Sequence, residues 1–293
     1  MGYRLPILLA VVVGFSGLLL FRKSQLSSPL QQSPHDGTFR KIADNLSRQG
    51  YVWHVPIANR KVELYVFLLQ FGTDYLLIDA GPPGEEYAEF FIKGLKKEIG
   101  SGHLRLVVLT HGHIDHVGAL PALKQAYPEA HVAFHTEESP YLTGEALYKD
   151  VPSDNKEYNL ITHDVSAALP ESRVLHLKGS SGDVADAVSP TGRAPKWLPP
   201  RDALQFYHMP GHAPGQVVYL HTPSGSLVAG DTFTNTGQPP ALGLPPPRVT
   251  PNVTRARLSA KALAALQFKT AFCTHDSATG VSRPELQKWT QSL

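Results

Sequence analysis

Residues 110–118 read Thr-His-Gly-His-Ile-Asp-His-Val-Gly, which places three imidazoles and one carboxylate within six positions. The run Leu-Arg-Leu-Val-Val-Leu directly before them is mostly apolar and predicts a buried strand that ends at this cluster. His111 and His113 are two residues apart, so in extended backbone their side chains share a face. Asp115 and His116 follow the turn and can point elsewhere. One short loop could therefore supply ligands to two metal ions, with His111 and His113 on one and Asp115 and His116 on the other.

The ligand types indicate which metal such a loop would bind. Imidazole and carboxylate groups suit zinc, whereas iron–sulfur clusters and structural zinc sites of the cysteine type need thiolates. The chain has one cysteine, Cys273, so it forms no internal disulfide and no cysteine-based metal site. A solvated histidine-rich loop is the competing interpretation. It is disfavoured because four ligand-type side chains follow a buried strand immediately.

The His-x-His-x-Asp-His pattern after a strand resembles the metallo-β-lactamase superfamily, in particular its general hydrolase-like members near the glyoxalase II type. The resemblance implies an α/β fold, a four-layer αββα sandwich with two mixed β-sheets. It also implies further ligands downstream, and three segments match. Met-Pro-Gly-His-Ala-Pro-Gly at residues 209–215 resembles the family's Pro-Gly-His loop and gives His212, Gly-Asp-Thr at residues 230–232 gives Asp231, and a strand end at Thr-His gives His275.

The resemblance implies two zinc ions per chain. It assigns one ion to His111, His113 and His212 and the other to Asp115, His116 and His275, with Asp231 and a water-derived hydroxide bridging them. The implied function is a dinuclear zinc hydrolase that cleaves an ester, thioester, lactone or lactam in a small-molecule acyl substrate by a metal-bound hydroxide. Asp115, beside the hydroxide, is the predicted catalytic proton acceptor. Asp79, in an Asp-x-Gly element after an earlier strand, is predicted to organise the loop rather than to bind metal.

The chain departs from the family pattern at several positions that bear on substrate. Asp276 follows His275 where the family usually has glycine, and no tyrosine follows Asp231 closely, which counts against acyl-homoserine lactones. Glyoxalase II enzymes add a helical C-terminal domain that grips glutathione, and only eighteen residues follow His275, which counts against a glutathione thioester. Phe233 and Leu244, beside a proline-rich segment, are predicted to line an apolar acyl pocket.

Two alternative functions belong to other classes. The first is a mononuclear iron dioxygenase acting on a persulfide, because that branch of the superfamily also uses a histidine-rich loop. The second is a non-catalytic, membrane-tethered member in which the site is structural.

The composition of the chain and the distribution of its apolar residues limit how it can be organised. The 293 residues are 42% hydrophobic and 18% charged, which predicts a globular core, and the net charge of +2 without a long basic run gives no indication of nucleic-acid binding. Residues 1–23 are predicted to be a transmembrane or signal-anchor helix, residues 24–38 a linker, and residues 39–293 the metallo-β-lactamase-like domain. The predicted location is therefore a membrane, with a single pass and no preferred side; the alternative is secretion after cleavage of a signal peptide.

Local patterns predict individual elements, among them helices over Glu85–Ile99 and Glu137–Tyr148 and a strand over His131–His135. Residues 179–200 are rich in Gly, Ser, Ala and Pro. They are predicted to form a surface insertion or a mobile flap.

Overall fold

The computed structural model describes residues 37–55, 60–148, 165–193, 195–237, 239–275 and 280–293. The predicted membrane segment and nearly all of the predicted linker lie outside these ranges. Among the described residues, no helix combines the length and the apolar character that crossing a bilayer requires.

The first sheet contains seven strands that are adjacent in space in the same order as in the chain. They are β1 (Arg40–Ala43), β2 (Leu46–Val55), β3 (Arg60–Phe71), β4 (Asp74–Ile78), β5 (His103–Val108), β6 (His131–His135) and β7 (Val174–Leu177). The strands from β1 to β4 pair antiparallel, and those from β4 to β7 pair parallel. The parallel half matters for the site, because the carboxyl ends of β4, β5 and β6 meet at one edge.

The strands of the second sheet are β8 (Ser181–Asp183), β9 (Leu204–His208), β10 (Val217–His221), β11 (Ser226–Val228), β14 (Thr270–Phe272) and β15 (Val281–Ser282). They lie in the order β15-β14-β11-β10-β9-β8. This sheet is also mixed, because β11 and β14 run parallel while the other pairs are antiparallel. A separate hairpin pairs β12 (Thr234–Thr236) with β13 (Ala241–Gly243).

The α-helices whose two ends both lie within the described residues are α1 (Glu85–Ile99), α2 (Ile114–Val117), α3 (Leu120–Ala126), α4 (Ser139–Leu142), α5 (Val253–Ala265) and α6 (Arg283–Gln291). Helix α1 buries Tyr87, Phe91, Leu95 and Ile99, which recur every fourth residue and so form one apolar stripe. Acidic residues in its first turn and lysines in its last turn complement the helix dipole.

Three buried apolar clusters separate four layers. The central cluster fills the space between the two sheets and contains Phe67, Tyr219 and Phe272. An outer cluster joins α1 and α3 to the first sheet, and another joins α5 and α6 to the second sheet through side chains such as Leu263 and Leu286. Neighbouring residues of a strand alternate between clusters, as period two requires. The predicted α/β sandwich with mixed sheets is therefore confirmed.

One local prediction, the helix over Glu137–Tyr148, is wrong, and of the two alternatives for residues 179–200 the structure agrees with the surface insertion. The predicted helix Glu137–Tyr148 is a short 3₁₀ turn, Thr136–Glu138, followed by α4, and the chain then turns at Gly144 with φ of 80°. The region from 179 to 200 is no detached flap in its described part. It contributes β8 to the second sheet and buries Val184 and Ala187 in the central cluster. These two apolar side chains bind the segment to the core despite its loop-like composition.

One hydrogen bond links the second sheet to the strand that leads into the histidine-rich loop. The hydroxyl of Tyr219, a fully buried residue of β10, donates to the carbonyl oxygen of Leu109 at 2.7 Å. We expect Tyr219→Phe to lower the free energy of unfolding by about 1–3 kcal/mol, because a buried acceptor loses its donor. Urea denaturation at fixed metal concentration measures this change.

Tyr207→Phe is the matched control, since Tyr207 lies on the neighbouring strand β9 and packs only partly buried against the outer cluster. It should change the free energy of unfolding by less than about 0.5 kcal/mol. Equal effects of the two substitutions would contradict the assignment of the Tyr219 hydroxyl as a link between the sheets.

Candidate metal centre

The seven side chains predicted as metal ligands come from separated segments that converge. They are His111 and His113 after β5, Asp115 and His116 in α2, His212 between β9 and β10, Asp231 after β11, and His275 after β14. Within the described part of the chain, their ligand atoms form overlapping groups of three whose members lie within 4.8 Å of one another. The groups are His111, His113 and His212; His111, His116 and Asp231; and Asp115, His116 and His275.

The carboxylate of Asp231 lies between the two halves of this cluster. Its Oδ2 is 3.4 Å from Nε2 of His212 and 3.2 Å from Nε2 of His275. Its Oδ1 is 3.4 Å from Nε2 of His116. One carboxylate therefore contacts imidazoles from both predicted ligand sets.

The first half of the cluster consists of imidazoles packed against one another. Nδ1 of His113 and Nε2 of His212 are 2.8 Å apart. The ring of His111 stands edge-on to both, with centroid distances of 4.6 Å to His113 and 4.9 Å to His212. Two ring nitrogens at such a distance must share either a proton or a cation.

Two imidazoles of the cluster are oriented by a hydrogen bond at the ring nitrogen that points away from the other ligands. Thr250 Oγ1 donates its only proton to the carbonyl of Pro246, so at 3.1 Å it accepts from Nδ1–H of His212. Nδ1–H of His275 donates to the carbonyl oxygen of Glu63 at 3.2 Å. In both rings Nε2 is thereby turned toward the cluster, which is how outer partners orient metal-ligating histidines.

Asp79 performs the same function for two of the three remaining rings, those of His116 and His111. Its carboxylate, 1% exposed, accepts from the backbone N–H and from the hydroxyl of Thr110, each at 2.8 Å, and from Nδ1 of His116 at 2.9 Å. The Thr110 hydroxyl, with its proton on Asp79, accepts from Nδ1 of His111 at 3.1 Å. Asp79 thus organises the loop, in agreement with the prediction. Its own backbone lies in the left-handed region, with a φ of 62°.

The first half of the cluster favours neutral imidazoles. Burial and the neighbouring imidazoles hold the pKa of His111 well below its usual value. Burial lowers the pKa of His113 to about 4 and that of His212 to about 3. At neutral pH each of these rings is therefore a neutral imidazole, with one N–H and one nitrogen lone pair.

The second half carries the charge. Burial would lower the pKa of His275, but the carboxylates of Asp231 and Asp115 outweigh it and raise the pKa to about 10. Burial is likewise outweighed at His116, whose pKa is raised well above its usual value by Asp231, Asp79 and Asp115. Without a metal ion, protons on these two rings neutralise the carboxylates, and a divalent cation could replace them.

The donor set fits a metal ion. Nε2 of His111 is buried and makes no hydrogen bond among the described residues, and Oδ1 of Asp231 makes none either, although it lies 3.4 Å from Nε2 of His116. An unpaired buried polar atom costs stability, so a cation that accepts both lone pairs would remove the penalty. The sulfur of Cys273 does not join the set, because it donates to the carbonyl of His275 and its residue is buried in the outer cluster of the second sheet.

Other predicted site residues lie elsewhere. Phe233 is 1% exposed within the outer cluster of the second sheet, with its ring 6.3 Å from that of Trp289, so the structure places it in the core instead of a pocket wall. Leu244 is half-buried just after β13. Asp276, the departure from the family pattern, lies outside the described residues.

Sequence reasoning missed two residues that hold the ligand loops. Glu138 is a fully buried carboxylate that follows β6 and contacts the backbone of both the His111–His113 loop and the His212 loop. Its position three residues after the predicted strand His131–His135 was the feature of the sequence that could have indicated this role. Thr250 gave no signal, because it lies 38 residues beyond its partner His212 in an irregular, proline-rich segment.

Comparison with known proteins gives the family. The family model described as the metallo-beta-lactamase superfamily matches residues 64–275. The chain belongs to this superfamily.

Named relatives and solved structures agree with this membership. The probable metallo-hydrolase YflN of Bacillus subtilis (strain 168) is 27% identical to this chain, over 75% of this chain and 81% of YflN. The probable metallo-hydrolase YybB of the same organism is 24% identical, over 66% of this chain and 71% of YybB. Hydroxyacylglutathione hydrolase GloC of Haemophilus influenzae is 24% identical over 46% of this chain and 52% of GloC. The fold is also similar to the metallo-β-lactamase FIM-1 from Pseudomonas aeruginosa in its mono-zinc form, with a TM-score of 0.56 and 14% identity over 87% of this chain and 95% of FIM-1.

The predicted family is thus confirmed, and the glyoxalase II-type neighbourhood is represented by GloC. The relatives named as probable metallo-hydrolases support the predicted class, a metal-dependent hydrolase.

The contacts of Asp79 predict that replacing its carboxylate lowers the affinity of the cluster for zinc. In Asp79→Asn the amide oxygen can still accept from the Thr110 N–H, but the NH₂ group then faces Nδ1 of His116. His116 must switch tautomer, which places its proton on the nitrogen that faces the cluster. We expect zinc affinity to fall by about 10–100-fold, as measured by competition with a chromophoric chelator.

Asp74→Asn is the matched control, because Asp74 begins the same strand β4 that ends next to Asp79. Its carboxylate accepts from Arg105 at 2.6 Å, far along the strand from the cluster. Zinc affinity should match that of the wild type in this control. A normal affinity in Asp79→Asn would show that the loop keeps its geometry without the carboxylate.

Proposed function

We propose that this chain is a dinuclear zinc hydrolase that cleaves an ester, thioester, lactone or lactam bond in a small-molecule acyl substrate. The observation that carries the proposal is the carboxylate of Asp231 within 3.4 Å of His116, His212 and His275. A carboxylate in contact with two ligand groups is suited to bridge two cations. Nothing in the packing of a structural site would require so many ligand atoms in one place.

The ligand chemistry favours zinc over other metals. The first ion would be held by His111, His113 and His212, which are neutral imidazoles, and the second by Asp115, His116 and His275. Nitrogen and carboxylate ligands without thiolates suit zinc, and three protein ligands leave a coordination position open. Bound zinc supplies Lewis acidity and lowers the pKa of a coordinated water to about 7. The similarity to a metallo-β-lactamase described in a mono-zinc form supports the same choice.

Asp115 is the residue best placed to move a proton. Its side chain is 16% exposed, compared with 7% for Asp231, so it faces the open side of the cluster. Its Oδ2 lies 3.2 Å from Nε2 of His275, and the charges of His116 and His275 outweigh burial and hold its pKa below the usual value. Asp115 is therefore an anion that can accept a proton from the attacking water and pass it to the leaving group.

The substrate class follows from the chemistry of the cluster and from the relatives. Hydroxyacylglutathione hydrolase acts on a thioester, and GloC carries that name, so a thioester is among the candidates. The net charge of +2 gives no indication of a polyanionic substrate. We therefore assign a small acyl compound to the site.

Metal removal tests the function directly. After dialysis against a chelator, we expect hydrolysis of a panel of nitrophenyl esters, an acyl thioester, a lactone and a chromogenic β-lactam to stop. Two equivalents of Zn²⁺ should restore it, and Mg²⁺ should not. His111→Ala should abolish both zinc binding and hydrolysis, because it removes a buried ligand.

The matched control is His103→Ala, at the opposite end of β5, where the imidazole is 56% exposed. It should leave both measurements unchanged. Undiminished hydrolysis by zinc-free protein would contradict the proposal. Iron in the purified protein, with oxygen consumption in the presence of glutathione persulfide and no hydrolysis, would instead favour the dioxygenase.

We further propose that residues 1–23 anchor the chain to a membrane. This rests on the apolar run Leu5–Phe21 between basic residues. In liposome flotation we expect the full chain to rise with the vesicles and a chain beginning at residue 39 to remain below. If mass spectrometry of the mature protein instead shows cleavage after the apolar run, the secreted alternative replaces the anchor.

A further inference from the structure

Glu138 is a buried carboxylate that lies between two loops carrying ligands. Its side chain is fully buried, and it sits at the end of the 3₁₀ turn that follows β6. Oε2 accepts from the backbone N–H of Gly112 at 3.0 Å, and Oε1 accepts from the backbone N–H of Gly215 at 2.6 Å. Gly112 separates His111 from His113, and Gly215 follows His212 by three residues.

Both donors are glycines for a steric reason. A Cβ atom on Gly215 would lie 2.6 Å from the backbone nitrogen of Glu138 and 2.7 Å from its Cγ. A Cβ atom on Gly112 would lie 3.0 Å from Oε2 of Glu138 and would also overlap the hydroxyl of Tyr148. The two loops therefore approach the carboxylate as closely as backbone permits, and neither can move toward it further.

Tyr148 extends this contact to a ligand ring. Its hydroxyl donates to Oε2 of Glu138, and its ring stands edge-on to that of His113 with centroids 4.7 Å apart. Tyr141 stacks on the other side of Tyr148 at 4.4 Å. Glu138 thus receives three donors, two from ligand loops and one from a side chain packed against His113.

We propose that Glu138 is a positioning residue that sets the distance between the His111–His113 loop and the His212 loop, so that the three imidazoles converge on one ion. The inference rests on the proposed function, because it concerns the metal group that the hydrolase would use. It adds a residue whose carboxylate binds the backbone of the ligand loops rather than a ligand side chain.

A carboxylate is the group that this position requires. All three neighbours are donors, and an ionised carboxylate is an acceptor at both oxygens. A glutamine of the same shape keeps one acceptor and places an NH₂ group against a backbone N–H of one loop. The tyrosine hydroxyl can rotate to accept, but the glycine N–H groups cannot, so one loop must move away.

The test compares metal binding with stability. In Glu138→Gln we expect zinc affinity to fall by about 10–100-fold in a chelator competition. Loaded with Co²⁺ in place of Zn²⁺, the variant should show an altered visible absorption spectrum, because the spectrum follows the arrangement of the ligands. Both readouts are independent of catalytic activity.

Asp183→Asn is the matched control for loss of a buried carboxylate. Asp183 is 6% exposed and, like Glu138, accepts from backbone N–H groups of separate residues, Ala185 at 2.8 Å and Asp202. It lies at the end of β8 and contributes to none of the ligand loops. We expect both variants to melt at a lower temperature, but only Glu138→Gln to lose zinc affinity and to change the Co²⁺ spectrum.

The outcomes separate this inference from the proposed function. If wild-type protein binds zinc and Glu138→Gln binds it equally well with an unchanged Co²⁺ spectrum, Glu138 only stabilises the fold and the inference is wrong. If wild-type protein binds no zinc, the proposed function fails and the inference fails with it.

A second variant serves if Glu138→Gln does not fold. Tyr148→Phe removes one donor and leaves the carboxylate and both glycine N–H groups in the chain. Because the phenol holds Oε2 in the orientation that Gly112 needs, zinc affinity should fall by a few-fold, and an unchanged affinity would overturn the inference.

Discussion

The orientation of buried imidazoles is the constraint on which the site depends. A histidine ring has two nitrogens, and leaving either without a partner in the interior costs about 1–3 kcal/mol. The fold supplies the far nitrogen with a fixed acceptor in four of the rings. These acceptors are the hydroxyl of Thr110, the carboxylate of Asp79, the hydroxyl of Thr250 and the carbonyl of Glu63. Thr110 is the neighbour of His111, but the other three acceptors come from distant parts of the chain, so their rings can be oriented only in the packed sandwich.

The two halves of the cluster differ in the charge of their buried imidazoles. In the half around His113, burial outweighs the charges of Asp115 and Asp231 and keeps the rings neutral. In the other half Asp115 and Asp231 keep His116 and His275 protonated. Asp115 and Asp231 each act on both rings, so removing either carboxylate would weaken the hold on both protons. A divalent cation could take the place of these protons, because it would satisfy the same carboxylates.

The sequence was sufficient for the parts of the site that are local. The spacing of His111, His113, Asp115 and His116 after an apolar run located the loop, and the helix Glu85–Ile99 and the strand His131–His135 have the predicted bounds. The convergence of His212, Asp231 and His275 with that loop came from family resemblance, because no local pattern specifies contacts across a hundred residues.

The incorrect helix prediction and the open choice for residues 179–200 have physical reasons of the same kind. The helix predicted over Glu137–Tyr148 was inferred from composition, yet its first residues form a 3₁₀ turn that delivers Glu138 to Gly112 and Gly215. Tertiary hydrogen bonds to a buried carboxylate outweigh the small differences in helix propensity. The region from 179 to 200 was judged by its small and polar residues, but Val184 and Ala187 decide its position because they fill the central cluster.

The ligand loop is held from both sides by neighbours of the strand that carries it. Within the sheet, Leu109 still pairs with Ala133 of β6, but beyond it the parallel ladder ends. Asp79, directly after β4, takes the N–H of Thr110, and Glu138, shortly after β6, takes the N–H of Gly112. Side-chain carboxylates thus replace the strand carbonyls that would have paired with these groups.

The second sheet completes the support of this loop. The N–H of Val217, the first residue of β10, donates to the carbonyl of Thr110 at 2.8 Å. Thr110 is consequently fixed through its N–H and hydroxyl by the first sheet and through its carbonyl by the second. A loop anchored in this way needs no regular secondary structure to present His111 and His113 in one orientation. The rigidity that a metal site requires comes from two sheets packed face to face, with the loop at the edge where they meet.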